Sequence, residues 1–507
     1  MTITIQFLGA VETVTGSQYL VTAGDRRIVV DCGFFQGSPN EVARNRMPFA
    51  YEAGAVDALL VTHAHLDHCG RIPSLVKAGF SGPIHATPGT LDLTEIVLRD
   101  AAKLQEEAEA RWRRHHPEAA EAADGADEET AVEQDDPGMP TRLRKADPEA
   151  MTMSRAALYN AEDVDATVKL FRPVGYEETL QVADGITAKF HDAGHILGSA
   201  IIELTVTDAG TPTTIVFSGD LGRCDTPILR DPTPISHADF VLVESTYGNR
   251  EHGPMDQAVE ELAQAVSEVA GGNGVLLIPS FAIGRTQQLV WELDGLLREN
   301  RIPKLPLFLD SPMASRASDV YMRHPEDYDA ETGALLRAGG TPLEYPGEQF
   351  TNEVDQSKAI RTQPRPFMVV ASSGMLTGGR ILHHLKDFLP DPTSMLLFIG
   401  YQGEGSLGFA IQHGAKEARI DGQKYPVRCK VRSISGFSAH ADEHELEDWV
   451  RNFVQAGGAA ASNGRPKIVF VVHGDPDAAS AFADHIRGDL GLDVQLPTYR
   501  QEVVLRN

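Results

Sequence analysis

The stretch "THAHLDHCG", residues 62–70, sets three histidines and one aspartate, His63, His65, Asp67 and His68, within six positions. Ligand-type side chains at this density have to be presented from the polar end of a buried element, which restricts the folds open to the chain. The apolar run Ala58 to Val61 predicts a buried strand, with His63 onward at its polar exit. In extended backbone alternate side chains share a face, so His63 and His65 point the same way, as two nitrogen ligands of one metal require. Asp67 and His68 fall where the chain turns towards "RIPSLVKAGF" and are placed to face a second ion. The competing reading is an ordinary polar loop.

A metal cluster needs further ligands, and three other apolar runs end on suitable residues. "FHDAGHILGSA" offers His195, with His191 as its rival; "TIVFSGDLG" offers Asp220; "IVFVVHGD" offers His473. Asp220 is placed to lend one oxygen to each of two metals, holding them about 3.5–4 Å apart, a separation suited to in-line displacement. Asp31, closing "RIVVD", is expected to accept a hydrogen bond from a ligand imidazole and fix its tautomer. The alternative is a simple turn aspartate.

At 507 residues with 42% apolar content, the chain is long enough for two or three domains. Residues 1–100 alternate short apolar strands with turns, and the pattern resumes with "ITAKFHDAGH", "SAIIELTVT" and "TIVFSGDLG". From about residue 250 it changes to strand, glycine-bearing loop and amphipathic helix, as in "GVLLIPSFAIGRTQQLVWELDGLL", which predicts parallel βα units of a doubly wound sheet. Short strands return near residue 430. Between the first blocks, Glu106 to Asp136 carries twelve acidic and three basic residues, a net of −9, and reads as a mobile, solvated insertion or a frayed helical hairpin. The G-x-G-x-x-G at Gly403, Gly405 and Gly408 is followed by too short a segment for the helix of a dinucleotide site, so no organic cofactor is expected.

The net charge of −27 argues against non-specific attraction to nucleic acid, so any polyanion must be held by a local site. The four cysteines form no C-x-x-C pair, and neither a signal peptide nor a membrane-length apolar run is present, which points to a reducing cytoplasm and no membrane.

The H-x-H-x-D-H motif, followed by His195, Asp220 and a distant His473, resembles the metallo-β-lactamase superfamily. The long gap from Asp220 to His473 resembles its β-CASP branch of RNA-processing nucleases, as do Glu244 in "FVLVESTYG" and His440 in "SISGFSAHAD". The branch includes the nuclease subunit of the cleavage and polyadenylation specificity factor and its prokaryotic relatives. The resemblance implies an αββα metallo-β-lactamase sandwich with an inserted doubly wound parallel α/β domain. Residues 1–246 would form its first part, with the acidic insertion at 105–150, then 247–430 the inserted β-CASP domain and 431–507 the returning part. It further implies two Zn²⁺ per chain, one on His63, His65, His195 and Asp220, the other on Asp67, His68, Asp220 and His473. The implied activity is hydrolysis of single-stranded RNA by metal-activated hydroxide, endonucleolytic or from the 5′ end. His440 would be the general acid, Glu244 its orienting partner, and Asp67 and Asp31 further residues of the catalytic set. Hydrolysis of a small ester, thioester or lactone, and DNA processing, are the alternatives. Homo-oligomers or RNA-processing protein partners are possible associates.

Phosphate handling is expected in the inserted domain, because open parallel sheets bind ligands beyond the carboxyl ends of their strands. Arg285 and Arg380 are placed for bidentate phosphate contacts, and Ser372, Ser373 and Gly374 for a backbone nest. The commoner explanation of each arginine is a surface position near a turn.

Overall fold

A computed structural model describes residues 1–115, 156–400, 402–403, 405–455 and 465–506. The core of the expected acidic insertion lies outside the described residues. Its first part, to His115, is the end of the long helix Pro88–His115.

Period-two patterning builds the first half. In Ile3–Phe7, Ile3, Ile5 and Phe7 are fully buried while Thr4 and Gln6 are half-buried, so one strand face meets a core. Among the described residues, strands from the two ends of the chain form two seven-stranded sheets. One has the order Glu502–Arg506, Ile3–Phe7, Tyr19–Ala23, Arg26–Val30, Ala58–Leu60, Ile84–Ala86, Phe171–Pro173. The other runs Val494–Gln495, Ile468–Val471, Phe240–Val243, Thr211–Phe217, Ala200–Asp208, Ile186–Asp192, Thr179–Ala183. Ile5, Phe7, Val21, Phe190, Ile202, Phe217 and Leu242 interdigitate between the two sheets. The outer face of the first is covered by Pro88–His115 and Ala161–Val168, that of the second by Glu443–Gln455 and Pro476–His485. This is an αββα sandwich.

Both sheets are mixed, and the parallel pairs matter most. Val30 lies beside Leu60, Phe217 beside Leu242, and Val243 beside Val471. These strands therefore end at a common level, and the residues that follow them, Asp31, His63, Asp220, Glu244 and His473, emerge along one edge of the sandwich.

A third sheet is parallel throughout, in the order Glu348–Phe350, Leu307–Asp310, Phe367–Ala371, Val275–Pro279, Met395–Phe398, Lys430–Ser433. Its fully buried runs, such as "VLLIP" and "FMVVA", are those of a sheet covered on both faces, and an apolar cluster lies on each side. The last strand begins at Lys430, so this sheet extends three residues past the expected boundary. No helix among the described residues is long and apolar enough to cross a membrane.

Leu242 is 1% exposed in the sandwich core. Leu242→Ala is expected to cost about 2–5 kcal/mol through lost burial and a residual cavity. A thermal scan would read this as a Tm several degrees lower; an unchanged Tm would show that the two sheets do not pack as described.

Candidate metal centre

The strand Ala58–Leu60 delivers His63 into the interior at 0% exposure. His65 caps the short helix Leu66–Cys69, which carries Asp67 and His68. His63 Nε2 lies 3.2 Å from His65 Nδ1, and His195 Nε2 lies 3.1 Å from the same atom. Asp220 Oδ2 is 3.4 Å from His63 Nε2 and 3.7 Å from His195 Nε2. On the other side, Asp220 Oδ1 stands 3.3 Å from His68 Nε2, which is 3.1 Å from His473 Nε2. Asp67 Oδ2 is 3.7 Å from that same His473 nitrogen. The seven sequence-predicted ligands thus come together, Asp220 between two groups.

Two features test whether cations fit. A tetrahedron with Zn–N bonds of about 2.0–2.1 Å has edges of about 3.3 Å, and the nitrogen separations above are close to that edge. Among the described residues Asp220 Oδ1 is moreover buried without a hydrogen-bond donor, an expensive state for a carboxylate unless a cation faces it. The donor set fits divalent metal.

Electrostatics favour the same reading. Burial holds His63 and His195 below the usual histidine range and pushes His65 down to about 3, leaving neutral imidazoles, the form that ligates. Burial also disfavours charge on Asp220, but His473, His68 and His63 outweigh it and hold the carboxylate well below its usual range. His68 and His473 are likewise penalised by burial, yet are raised by the carboxylates facing them. A field that draws protons draws cations, so metal uptake here displaces protons and strengthens with rising pH.

Asp31 closes its strand at φ 59°, a conformation unfavourable for a non-glycine residue and common at functional sites. Its Oδ2 accepts from His68 Nδ1 at 2.7 Å, which turns Nε2 towards Asp220. Thr62 N donates to Asp31 Oδ1 at 2.8 Å, and the Thr62 and Ser17 hydroxyls bond the same carboxylate. The rival ligand His191 is directed elsewhere, to Glu177 at 2.6 Å and Glu203 at 3.3 Å.

Beside the cluster, His440 Nδ1 lies 3.1 and 3.2 Å from the two oxygens of Glu244, which is 0% exposed. Leu221 N donates to Glu244 Oε1 at 2.7 Å, tying this carboxylate to the residue after Asp220. Burial opposes charge on His440, but the Glu244 carboxylate outweighs it and lifts the imidazole to about 9. The His440 side chain keeps 21% exposure, so its other face reaches solvent.

The expected phosphate contacts divide. Gly284 abuts Ile196, where a Cβ would lie 2.8 Å from the Ile196 Cγ2, so the loop before Arg285 touches the loop of His195. Arg285 itself is 6% exposed and donates to Gln288; burial lowers it to about 10, which leaves it charged. Arg380 requires correction. Its guanidinium is turned to Asp310 Oδ1 and to the Thr351 and Asn352 carbonyls, each at 2.7 Å, so three of its five N–H donors, both of Nη1 among them, are engaged within the domain. Ser372 Oγ lies 3.0 Å from Ser311 Oγ, and Ser373 Oγ accepts from the backbone of Thr377 and Gly378, shaping its own turn. Gly374 lies against the Phe281 ring.

Sequence reasoning missed Thr62, Ser17, Thr246 and His252. Thr246 Oγ1 meets His473 Nδ1 at 3.2 Å, and His252 Nε2 meets the His440 carbonyl at 3.1 Å. Both stand in "ESTYGNREHG", close to Glu244, but their partners lie about two hundred residues away.

Family models match along the chain. The metallo-β-lactamase superfamily model covers residues 11–240, the β-CASP domain model 286–411, and a Zn-dependent metallo-hydrolase RNA specificity domain 424–497. Ribonuclease TTHA0252 of Thermus thermophilus is 37% identical over 469 residues, 92% of each chain. The chain belongs to the β-CASP branch of the metallo-β-lactamase superfamily. Transcription termination factor FttA of Methanosarcina mazei is 29% identical, covering 98% of this chain and 71% of that one. An RNase J-like protein of Methanocaldococcus jannaschii is 28% identical over 97% of both chains. A crystal structure of an Enterococcus faecalis protein of unknown function shares the β-CASP chain's fold at a TM-score of 0.53 and 11% identity, covering 99% of this chain and 100% of that one.

Because Asp31 orients His68 without facing the cluster itself, Asp31→Ala is expected to weaken metal retention about 10–100-fold. Competition with a chelator measures this. Retention equal to wild type would remove Asp31 from the support of the centre.

Proposed function

We propose that this β-CASP protein is a zinc-dependent ribonuclease that hydrolyses phosphodiester bonds of single-stranded RNA. The observation that carries the reading is His440 set beside the His/Asp cluster with Glu244 holding its proton. Relatives named ribonuclease and the matched RNA specificity domain support RNA as the substrate.

In this reading His63, His65, His195 and Asp220 would hold one Zn²⁺, and Asp67, His68, Asp220 and His473 the other. Bound there, the ions would lower the pKa of water towards neutrality and offset the charge of the attacked phosphodiester. Asp31 fixes the His68 tautomer and Thr246 steadies His473. His440 donates its proton from Nε2 to the departing sugar oxygen as the P–O bond breaks, while Glu244 keeps the imidazole charged until then. Arg285 and the Ser372–Gly374 turn guide phosphates towards the centre. The domain division follows as 1–246 and 431–507 for the sandwich and 247–430 for the insert, with the last strand of the insert running on to Ser433. The free cysteines Cys32, Cys69, Cys224 and Cys429 support a cytoplasmic setting.

Incubation of the zinc-loaded protein with end-labelled single-stranded RNA, matched DNA and a generic ester or lactone is expected to show cleavage of RNA above the others. Preferential turnover of DNA or of the ester would overturn the reading. His440→Ala is expected to keep its zinc and lose about 10²–10⁴-fold in turnover, whereas His473→Ala should lose zinc.

The acid has a pH signature. Since Glu244 raises His440, the proton is held at neutral pH and lost only as pH climbs towards the raised value. Glu244→Gln should therefore move the alkaline limb of the pH–rate profile to lower pH. An unmoved limb would show that His440 is not the titrating acid.

A further inference from the structure

The chain crosses between its two domains twice: out of the sandwich after Phe240–Val243, and back after Lys430–Ser433. The two crossings are laid against each other. A Cβ on Gly436 would lie 2.5 Å from the Ala258 Cβ and 3.4 Å from the Gly253 carbonyl, so the return crossing packs on the exit crossing at backbone distance. Glu443 N donates to the Arg250 carbonyl at 3.1 Å, and Arg223 Nη1 to the Gly436 carbonyl at 2.6 Å.

His252 stands at the centre of this seam. Its backbone N–H donates to Asp442 Oδ2 at 2.9 Å, and the other oxygen of Asp442 accepts from the backbone of His444 and Glu445 at 3.0 Å. Its side-chain Nε2 reaches the carbonyl of His440 at 3.1 Å. A carbonyl only accepts, so Nε2 carries hydrogen. Burial pushes His252 down to about 4, which leaves it neutral at working pH, while His440 next to it is lifted to about 9. The Tyr247 ring packs near both histidines, 4.5 Å from His252 and 6.1 Å from His440, centroid to centroid.

Within its own turn His440 is bonded to Ser438, whose Oγ accepts from the His440 N–H at 3.2 Å and donates to its carbonyl at 3.3 Å; three further ties reach other elements. Ala441 N donates to the Leu221 carbonyl at 2.8 Å, the Ala439 carbonyl meets His195 Nδ1 at 3.3 Å, and the His440 carbonyl meets His252. The first two anchor the loop to the metal centre. The third, at the acid itself, comes from the exit crossing.

We propose that His252 is a positioning residue for the general acid: by tying the exit crossing to the His440 carbonyl, it aims the His440 imidazole at the departing oxygen of the substrate. This rests on the reading of His440 as the acid. A misplacement on the order of 1 Å costs up to about 100-fold in rate, so the tie that reaches the His440 carbonyl from the exit crossing is worth measuring.

The test pairs two substitutions with two substrates. His252→Gln places an amide donor near the position of Nε2, whereas the shorter side chain of His252→Asn does not reach. The substrates are end-labelled single-stranded RNA, whose sugar alkoxide needs protonation, and bis(p-nitrophenyl) phosphate, whose nitrophenolate departs unaided. For His252→Asn we expect kcat on RNA to fall about 10–100-fold with little change in KM, zinc content or bis(p-nitrophenyl) phosphate turnover. His252→Gln should restore most of the RNA rate. Equal losses on both substrates, or lost zinc, would overturn the proposal in favour of a general structural role; so would an unchanged RNA rate in His252→Asn, or absence of rescue by Gln. His440→Ala run alongside separates the two readings. If it too leaves RNA cleavage unchanged, the acid assignment fails; if it alone slows RNA cleavage, only the role of His252 fails.

Discussion

Asp220 is the constraint around which this molecule is organised. Its carboxylate is 2% exposed, one oxygen has no donor among the described residues, and four imidazole nitrogens approach its two oxygens within 3.7 Å. Taking an ionised carboxylate out of water costs several kcal/mol, and opposite charge at close range is what offsets it. The loops that carry these histidines are therefore not free to rearrange separately. They converge because the parallel strands of both sheets end at one level, and strained backbone at Asp31 and His473, each at positive φ, holds the ends in place.

That arrangement gives each histidine a different task through its surroundings. His63, His65 and His195 are held neutral chiefly by burial, the form in which an imidazole can ligate a metal. His440 sits at the edge of the same cluster, yet Glu244 makes it hold a proton, which suits it to give one away. His252, one hydrogen bond further out, is neutral again and acts as a strut. Three roles for one residue type follow from burial and from which charges lie nearest.

The site was legible in the sequence where the signal was local. Four of the proposed ligands fall within "HAHLDH", and the others follow apolar runs, so strand exits could be read directly. His195 and His191 were not separable by spacing; only the fold shows His191 turned to Glu177 and Glu203. Arg380 was misread because its partner Asp310 is seventy residues away, at the end of a neighbouring strand. Thr62 and Ser17 escaped notice for the same reason: hydroxyls carry no pattern, and their common partner Asp31 is brought to them by sheet register. The architecture was readable from the switch between alternating and fully apolar strands, whereas the far edge of the third sheet, the polar strand Lys430–Ser433, has no apolar run to mark it.

The central claim is that Asp220 stands between two metal ions. Anomalous scattering at the zinc edge, from crystals of the zinc-loaded protein, tests it directly. The account predicts two peaks about 3.5–4 Å apart with the Asp220 carboxylate reaching both. A single peak, or two peaks neither of which Asp220 touches, would contradict it.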